Sequence, residues 1–482
     1  MRKRFEQQIV VGQKLIADIE INPKYRGAYP KLVLALKELY LTPEYNEQIF
    51  SILEDKILKG KKNTGRRGMD LWVLFVMAQT RLCFNTSYDE LYRMANTDKM
   101  FREILGIETE YGFGERIEFE YQNILDNVSL LDDETVRKLN EVVVEMGHGV
   151  FKKKEVETLL LKTDSFVVES NVHFPTDYNL LWDSGRKCMD IIGKFIKKYN
   201  HINGWRKIGL WYRNLKSDMR ALGQVGKSGG KDKEGRLLKA ACDYLCTARL
   251  FLDKLQKEKT NLPLSDMHDL TLQLELEYYQ SMLEKHIDLL ERRIIKGETI
   301  PHAEKLFSIF ETYTEWITKG KQNPSVELGK NLQITTDQFH LIVDYKIMEH
   351  EVDKTCVIPL VDRVLSRFKV ESWSFDKGFY SKEIKELLSL VVNKLVMPKK
   401  GKLNQKEREQ ESERTFKKIR NQHSAIESNI NALEHRGLDR CPDKGYAHFK
   451  RYIGLGVCAY NLLRIGAELM RQAREEKLKQ AA

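Results

Sequence analysis

The sequence predicts a mixed α/β fold: a strand-bearing core, a large helical insertion and an all-helical N-terminal region. Three observations lead there. Strand-type runs occupy about 155–175 and recur from Trp316 to Met397. Helical periodicity fills 184–315 between them, and residues 1 to about 150 read as helices throughout. Aspartates sit inside or at the end of two strand runs, where a charged side chain is costly unless it has a partner or a task.

The N-terminal helices come first. Thr42 followed by Pro43 is a cap and first-turn proline for a helix toward Lys59. A basic segment from Lys61 to Gly68, holding Arg66 and Arg67, reads as an exposed loop. Leu71, Val73, Leu74, Val76 and Met77 form an apolar helix, Ser87 with Glu90 makes a capping box for the next, and Thr97 caps a third. Three short helices behind a basic loop resemble a helix-turn-helix-like DNA reader, and a plain helical bundle fits the same pattern.

The first strand run holds Val156, Leu159–Leu161, Phe166–Val168 and Val172, and Pro175 ends it. In the helical stretch that follows, Met267–Ile295 is a long amphipathic segment. Gly223–Gly230 reads as a flexible or DNA-facing loop. Its Gly226-Lys227-Ser228 lacks the leading glycine of a phosphate loop, since Ala221 stands there. Strand character resumes at Trp316-Ile317-Thr318 and over Leu332–Ile347, with Gly320, Pro324 and Gly329 marking turns. Pro359–Phe368 is a helix, a strand ends at Asp376, Ser381 caps a helix, and Leu395-Val396-Met397 is a last short strand. From Asn404 a long polar helical pattern carries Arg420, His423, Glu427, Asn431 and Glu434 along one face. Tyr452–Leu469 closes as an apolar helix, followed from Arg471 by a polar, frayed tail.

Composition narrows the class. The 482 residues carry 80 Lys+Arg against 70 Asp+Glu, a net charge of +10, which suits a polyanionic partner. Basic clusters stand at Arg2-Lys3-Arg4, Lys59–Arg67, Lys152–Lys154 and Lys399–Lys402. Seven scattered cysteines argue against a disulfide framework and suit a reducing, cytoplasmic setting. Cys242 and Cys246 share a helix face and read as small core residues. The N-terminus shows no signal-type apolar region, and no apolar run approaches the length of a membrane span.

Asp164, Asp376 and Glu427 are the candidate site. Two strand-borne aspartates and one helix-borne glutamate could converge on divalent cations, the equipment for displacement at phosphorus. Each also has a plainer reading. Asp376 before Lys377-Gly378 could be a turn cap, Glu427 a solvated helix residue, and Asp164 has rivals in Glu169, Asp177 and Asp183.

The words around the three residues add a resemblance. Asp164-Ser-Phe-Val-Val-Glu-Ser-Asn-Val-His-Phe-Pro-Thr-Asp177 resembles the first-aspartate block of insertion-sequence DDE transposases. Phe375-Asp376-Lys377-Gly378-Phe379-Tyr380-Ser381 looks like their second block. His423-Ser-Ala-Ile-Glu427 and the residues on to Arg440 look like the third, in the form of the ISNCY group. The resemblance covers most of residues 70–465. It implies an RNase H-like catalytic core over 151–183 and 316–465, interrupted by a helical insertion at 184–315. It leaves 1–150 as a helical DNA-binding region and 466–482 as a polar tail. It further implies Mg²⁺ or Mn²⁺ held by Asp164, Asp376 and Glu427, which would be both metal ligands and catalytic groups. The partners would be double-stranded DNA, as terminal inverted repeats and as target, and further copies of the chain. Arg66, Arg67, Lys377, Lys399, Lys400, Arg420 and His423 are the expected DNA contacts. Two departures stand out: Lys377 replaces the commoner Arg, and Glu434 stands where the third block usually has Lys, with Arg436 nearby. The expected activity is DNA cutting and joining. The alternatives are a non-mobile, transposase-derived DNA-binding protein and a structure-selective nuclease.

Overall fold

The computed structural model describes residues 2–5, 14–61, 68–108, 116–200, 202–318 and 325–481. In chain order the elements are α1 (Ala28–Leu41), α2 (Pro43–Ile57), α3 (Leu71–Cys83), α4 (Tyr88–Thr97), α5 (Lys99–Ile104), α6 (Tyr121–Val128), α7 (Asp133–Val150) and β1 (Leu159–Ser170). Then come α8 (Asp177–Tyr199), α9 (Ile208–Lys227), α10 (Lys233–Glu258), α11 (Met267–Leu290), β2 (Glu315–Thr318), β3 (Val326–Thr336) and β4 (Ile342–Ile347). The chain closes with α12 (Val357–Leu365), β5 (Val370–Phe375), α13 (Lys382–Leu388), β6 (Lys394–Val396), α14 (Gln405–Ser412), α15 (Arg414–His423), α16 (Ala425–Leu433), β7 (Arg440–Cys441) and α17 (Tyr446–Ala481). Two units result. One joins Met1–Asn171 to Ile317–Ala482, and the other is Val172–Trp316. The N-terminal helices therefore share a unit with the sheet.

α3 is buried on every side: all thirteen of its residues are enclosed, Gln79, Thr80 and Arg81 among them. Trp72 Nε1 donates to Ile104 O at 2.8 Å, and Arg81 makes two bonds to Asp443 at 3.0 and 2.6 Å. A helix enclosed in this way has no face of its own to offer DNA. Asp98, not Thr97, caps α5: its carboxylate accepts the Phe101 N–H at 2.8 Å, and Thr97 ends α4. Ser87 does cap α4, while Glu90 turns to Arg93 instead of closing the box.

α17 packs along α1, α3 and α7. Gly466 permits the approach to α1, because a Cβ there would lie 1.9 Å from Lys31 O. Contrary to the sequence expectation, this helix is long and apolar enough to cross a membrane, yet 78% of its apolar window is buried inside the protein. It also runs unbroken to Ala481 instead of fraying at Arg471, which bonds Glu468 one turn back. Its polar last turns lack an apolar face, which a helix continuing from a packed stem does not need.

The sheet runs β2-β3-β1-β5-β6, with β4 on β3 and β7 on β1. β1 is antiparallel to β3 and parallel to β5. Its odd-numbered residues, Leu159 and Leu161, join Trp373, Phe375, Leu360, Val361 and Leu388 in one apolar cluster. Thr163 ties three strands together, pairing with Thr335 Oγ1 at 2.8 Å and accepting from Trp373 Nε1 at 2.8 Å. Gly329 is not a turn residue. It lies within β3 opposite Glu169, where a Cβ would sit 2.0 Å from Val168 O. Leu332–Ile347 is two strands, because Asp337 Oδ1 accepts the N–H groups of Phe339 and Leu341, both at 2.9 Å, and folds a turn between them. The polar stretch from Asn404 likewise breaks into α14, α15 and α16, opened by an Asn404–Glu407 capping box. Gly320 and Pro324 lie outside the described residues.

The second unit packs α8 against α11 and α9, and α9 against α10. Its core includes Leu181, Phe195, Trp205, Tyr244, Phe251 and Leu283. The expected loop at 223–230 is mostly helix: α9 continues to Lys227, so Gly226-Lys227-Ser228 lies at a helix C-terminus. A phosphate loop would place it at an N-terminus. Cys242 and Cys246 are exposed on α10, not in the core.

Candidate active site

Thr163 of β1 lies opposite Phe375 of β5, and the two strands are parallel. Asp164 and Asp376 each come one residue later. Alternation of side chains along a strand therefore puts both carboxylates on the same face of the sheet. Asp376 also caps the turn Lys377–Phe379, its Oδ2 accepting from the Gly378 N–H at 3.2 Å. α16 packs across β1 on this side and carries Glu427, exposed, in its first turn.

The sheet brings a fourth carboxylate to the same place, one absent from the sequence expectations. Asp353 opens a short turn ahead of α12, and Ser165 Oγ donates to its Oδ1 at 2.7 Å. Its Oδ2 would be only 2.6 Å from a Cβ on Gly378, so glycine there is what allows the two turns to touch. Nothing in the local sequence separates Asp353 from an ordinary cap residue. Its role depends on the pairing of β1 with β5, which brings distant segments together.

The electrostatics agree with the geometry. Burial pushes the Asp164 carboxyl up to about 7; the Ser165 N–H, 2.7 Å from Oδ1, opposes this, and the charges of Asp376, Asp353 and Glu427 add to it. Asp353 is raised as well, by burial first and with Asp376 adding, against the Ser165 hydroxyl. Among the described residues none of these four acids has a salt-bridge partner. The rival acids do: Glu169 pairs with Arg440 at 2.7 Å. In the other unit, Asp177 pairs with Arg293 at 2.6 Å and Asp183 with Arg186 at 3.4 Å.

Carboxylates without salt-bridge partners, gathered so that their charges raise the proton affinity of Asp164 and Asp353, form a donor set suited to a hard divalent cation, with oxygen ligands only. Among the described residues no three His, Cys, Asp or Glu side chains are gathered closely enough to hold an ion. The sheet fixes Asp164 and Asp376, and Glu427 projects from a separate helix.

The carboxylate face continues into a groove of about 440 Å³. Lys162, Ser372 and Ser374 form its floor, at the alternate positions that share a face with Asp164 and Asp376, and Asn421, Gln422 and Ser428 line it from the helices. Lys162 is half-buried, and burial lowers its pKa. Among the described residues it has no salt bridge. His423 ends α15 with Nδ1 2.9 Å from Ser374 Oγ. Burial lowers its pKa, against the pull of Asp376, and its Nε2 is buried without a hydrogen-bond partner.

The other expected DNA contacts scatter. Lys377 and Lys400 are exposed, and Arg420 is exposed with Glu411 at 3.9 Å. Lys399 is held by Glu407 at 2.8 Å. Arg66 and Arg67 lie outside the described residues. Glu434 opens an irregular turn, Glu434–Leu438, and Arg436 within it donates to Cys83 O at 2.8 Å; that cation is engaged in the helical core.

A family model described as the transposase DDE domain matches residues 291–462. The matched range contains Asp353, Asp376 and Glu427 and begins after Asp164. It supports a DDE transposase family and, with it, a nucleic-acid-processing enzyme. No curated protein and no solved structure matches the chain.

Proposed function

We propose that this chain is an insertion-sequence DDE transposase of the ISNCY type, with an RNase H-like core. It would cut at the ends of an element and join the freed 3′-hydroxyls to target DNA. The observation that carries the reading is the register of β1 and β5, which sets Asp164 beside Asp376 on one sheet face, with Asp353 and Glu427 adding negative charge and none of the four in a salt bridge among the described residues. The family match over 291–462 supports the same reading.

Asp164, Asp376 and Glu427 would hold Mg²⁺ or Mn²⁺, which supplies Lewis-acid polarisation of phosphate oxygens and a more acidic bound water. The chain's own groups do the rest. In the first reaction water replaces the bridging 3′-oxygen at the element end and leaves a 3′-hydroxyl. In the second that hydroxyl displaces a bridging oxygen of the target strand. The groove beside the carboxylates would take the strand, with Lys162 facing phosphate oxygens; His423, expected as a DNA contact, instead braces Ser374 of the groove floor. The partners would be double-stranded DNA, as terminal inverted repeats and target, and further copies of the chain pairing two ends, in the bacterial cytoplasm.

The test is cleavage and joining of the element's own end DNA by the full chain with Mg²⁺. Losing a carboxylate that stabilises the transition state by several kcal/mol should slow both reactions by roughly a thousandfold in Asp376→Asn, Asp164→Asn and Glu427→Gln. Undiminished cutting by Asp376→Asn would remove the catalytic assignment. Binding of the ends without cutting by the unaltered chain would instead make it a DNA-binding protein derived from a transposase.

A further inference from the structure

We infer that α9 of the second unit carries a binding surface for the sugar-phosphate backbone of double-stranded DNA. The inference rests on the DNA reading above but lies in a different unit from the carboxylates. Charge is divided sharply inside this unit. Residues 206–239 hold ten Lys and Arg against three Asp and Glu, whereas 264–291, spanning α11, hold seven Asp and Glu against a single Lys. On α9, Arg213, Lys216, Arg220 and Lys227 recur at three-, four- and seven-residue steps, so they form one stripe. The apolar side of the helix, with Leu215 and Leu222 buried, faces the core.

Pairing distinguishes this stripe from the unit's other cations. Arg186, Lys198, Arg249 and Arg292 each hold a carboxylate, at 3.2, 2.7, 2.5 and 2.6 Å. Among the described residues Arg213, Lys216, Arg220 and Lys227 form no salt bridge. Arg213, Lys216 and Arg220 also line a concavity of about 470 Å³, with Tyr212 at its edge beneath the Lys216 ammonium, 5.5 Å from the ring centroid. The stripe spans about 21 Å at 1.5 Å per residue, room for several phosphates of one strand, which follow one another at about 3.4 Å of axial rise. The Gly229-Gly230 bend prolongs it with Lys231 and Lys233, both exposed. Four cations at this spacing match successive phosphates, and contacts to phosphate carry no sequence information directly.

The test uses the full chain in a metal-free, EDTA-containing buffer and a short random-sequence duplex, with affinity measured across a salt series. Replacing all four cations with Gln should lower the steepness of log affinity against log salt by about three to four, near one per lost phosphate contact. Affinity at moderate salt should fall roughly tenfold or more. A control variant, Lys257→Gln/Lys285→Gln/Lys296→Gln, removes charge elsewhere in the unit and should leave the slope nearly unchanged. Arg213→Lys/Arg220→Lys keeps the charge and should bind as the unaltered chain does, which guards against loss of binding through misfolding. An unchanged slope in the four-fold variant, equal losses in the control, or tighter binding to an RNA duplex than to DNA would each overturn the inference. Because binding is read without metal, the result stands apart from whether Asp376→Asn still cuts.

Discussion

Asp353 illustrates what a single residue contributes that the sequence conceals. Its bond from Ser165 Oγ at 2.7 Å holds the backbone beside Asp164, and Gly378 lets it press against the turn that carries Asp376. It thus acts on both aspartates without being paired to either. Asp353→Asn, which turns a bond to a charged acceptor into a neutral one, and Ser165→Ala, which removes it, should each slow cleavage by about tenfold, far less than loss of Asp376. Gly378→Ala should match them, since its Cβ would displace the Asp353 carboxylate. The check is kcat on end DNA, together with Mn²⁺ affinity measured by titration. If Asp353→Asn loses as much activity and as much metal affinity as Asp376→Asn, the residue is itself a ligand and the positioning role is wrong. The asymmetry in legibility has a physical root. Asp164, Asp376 and Glu427 are embedded in distinctive local words, and a residue's neighbours in sequence are visible. Asp353 and Lys162 matter only through strand register, and register between β1 and β5 is set by packing that no local pattern spells out.

Individual elements show the same division between local and tertiary causes. The start of α11 at Met267 was legible to the residue, and so was β5 ending before Asp376, although Leu270 and Leu274 of α11 face solvent and not the core. The turn that splits β3 from β4 was not, because Asp337 sits in a continuous run of strand-forming residues and its effect comes from two side-chain bonds. The start of α11 yields a prediction. Asp269 is fully buried, and it accepts from Lys198 Nζ at 2.7 Å, from the Tyr199 hydroxyl and from the Ser265 N–H at 3.0 Å. Burial alone would raise its pKa; these donors outweigh it and hold the carboxyl at about 2, below its ordinary 3.8. A carboxyl depressed on folding stabilises the fold above its unfolded pKa, and that contribution drains away as pH falls from about 4 toward 2. Thermal melting between pH 6 and pH 2 should therefore show a steep loss in this window for the unaltered chain. Asp269→Asn should melt several degrees lower near neutrality and show a shallower acid limb. Parallel acid limbs for the two proteins would mean that Asp269 does not link the second unit's stability to protons.

At the scale of the whole molecule, the chain interrupts one unit with another. β1 must find β3 and β5 after the intervening unit has been threaded out, so its closing contacts span large separations: Thr163 to Thr335 on one side and Trp373 to Thr163 on the other, 172 and 210 residues apart; elsewhere in the same unit, Arg81 of α3 reaches Asp443 across 362. Val172–Trp316 closes on itself with helix pairs whose contacts are shorter in sequence; the Lys198 bond to Asp269 spans 71 residues. Loop closure costs entropy before distant contacts repay it, so folds rich in local contacts form faster than those built on distant strand pairs. The sequence made the helical character of 184–315 plain through its periodicity, and the words around Asp164, Asp376 and Glu427 already joined 151–183 to 316–465 across it; that the helices of 1–150 share this unit left no local mark, because it is a property of contacts between segments hundreds of residues apart. The expected order of folding follows. In refolding from urea, with amides pulse-labelled by hydrogen exchange, protection should appear first in α8, α10 and α11 and only later in β1, β3 and β5. β1, β3 and β5 should gain protection together, since β1 lies between the other two and pairs with both. If β1 is protected as early as α8, the carboxylate face is assembled by contacts more local than the register describes, and the discontinuous unit is not what limits folding.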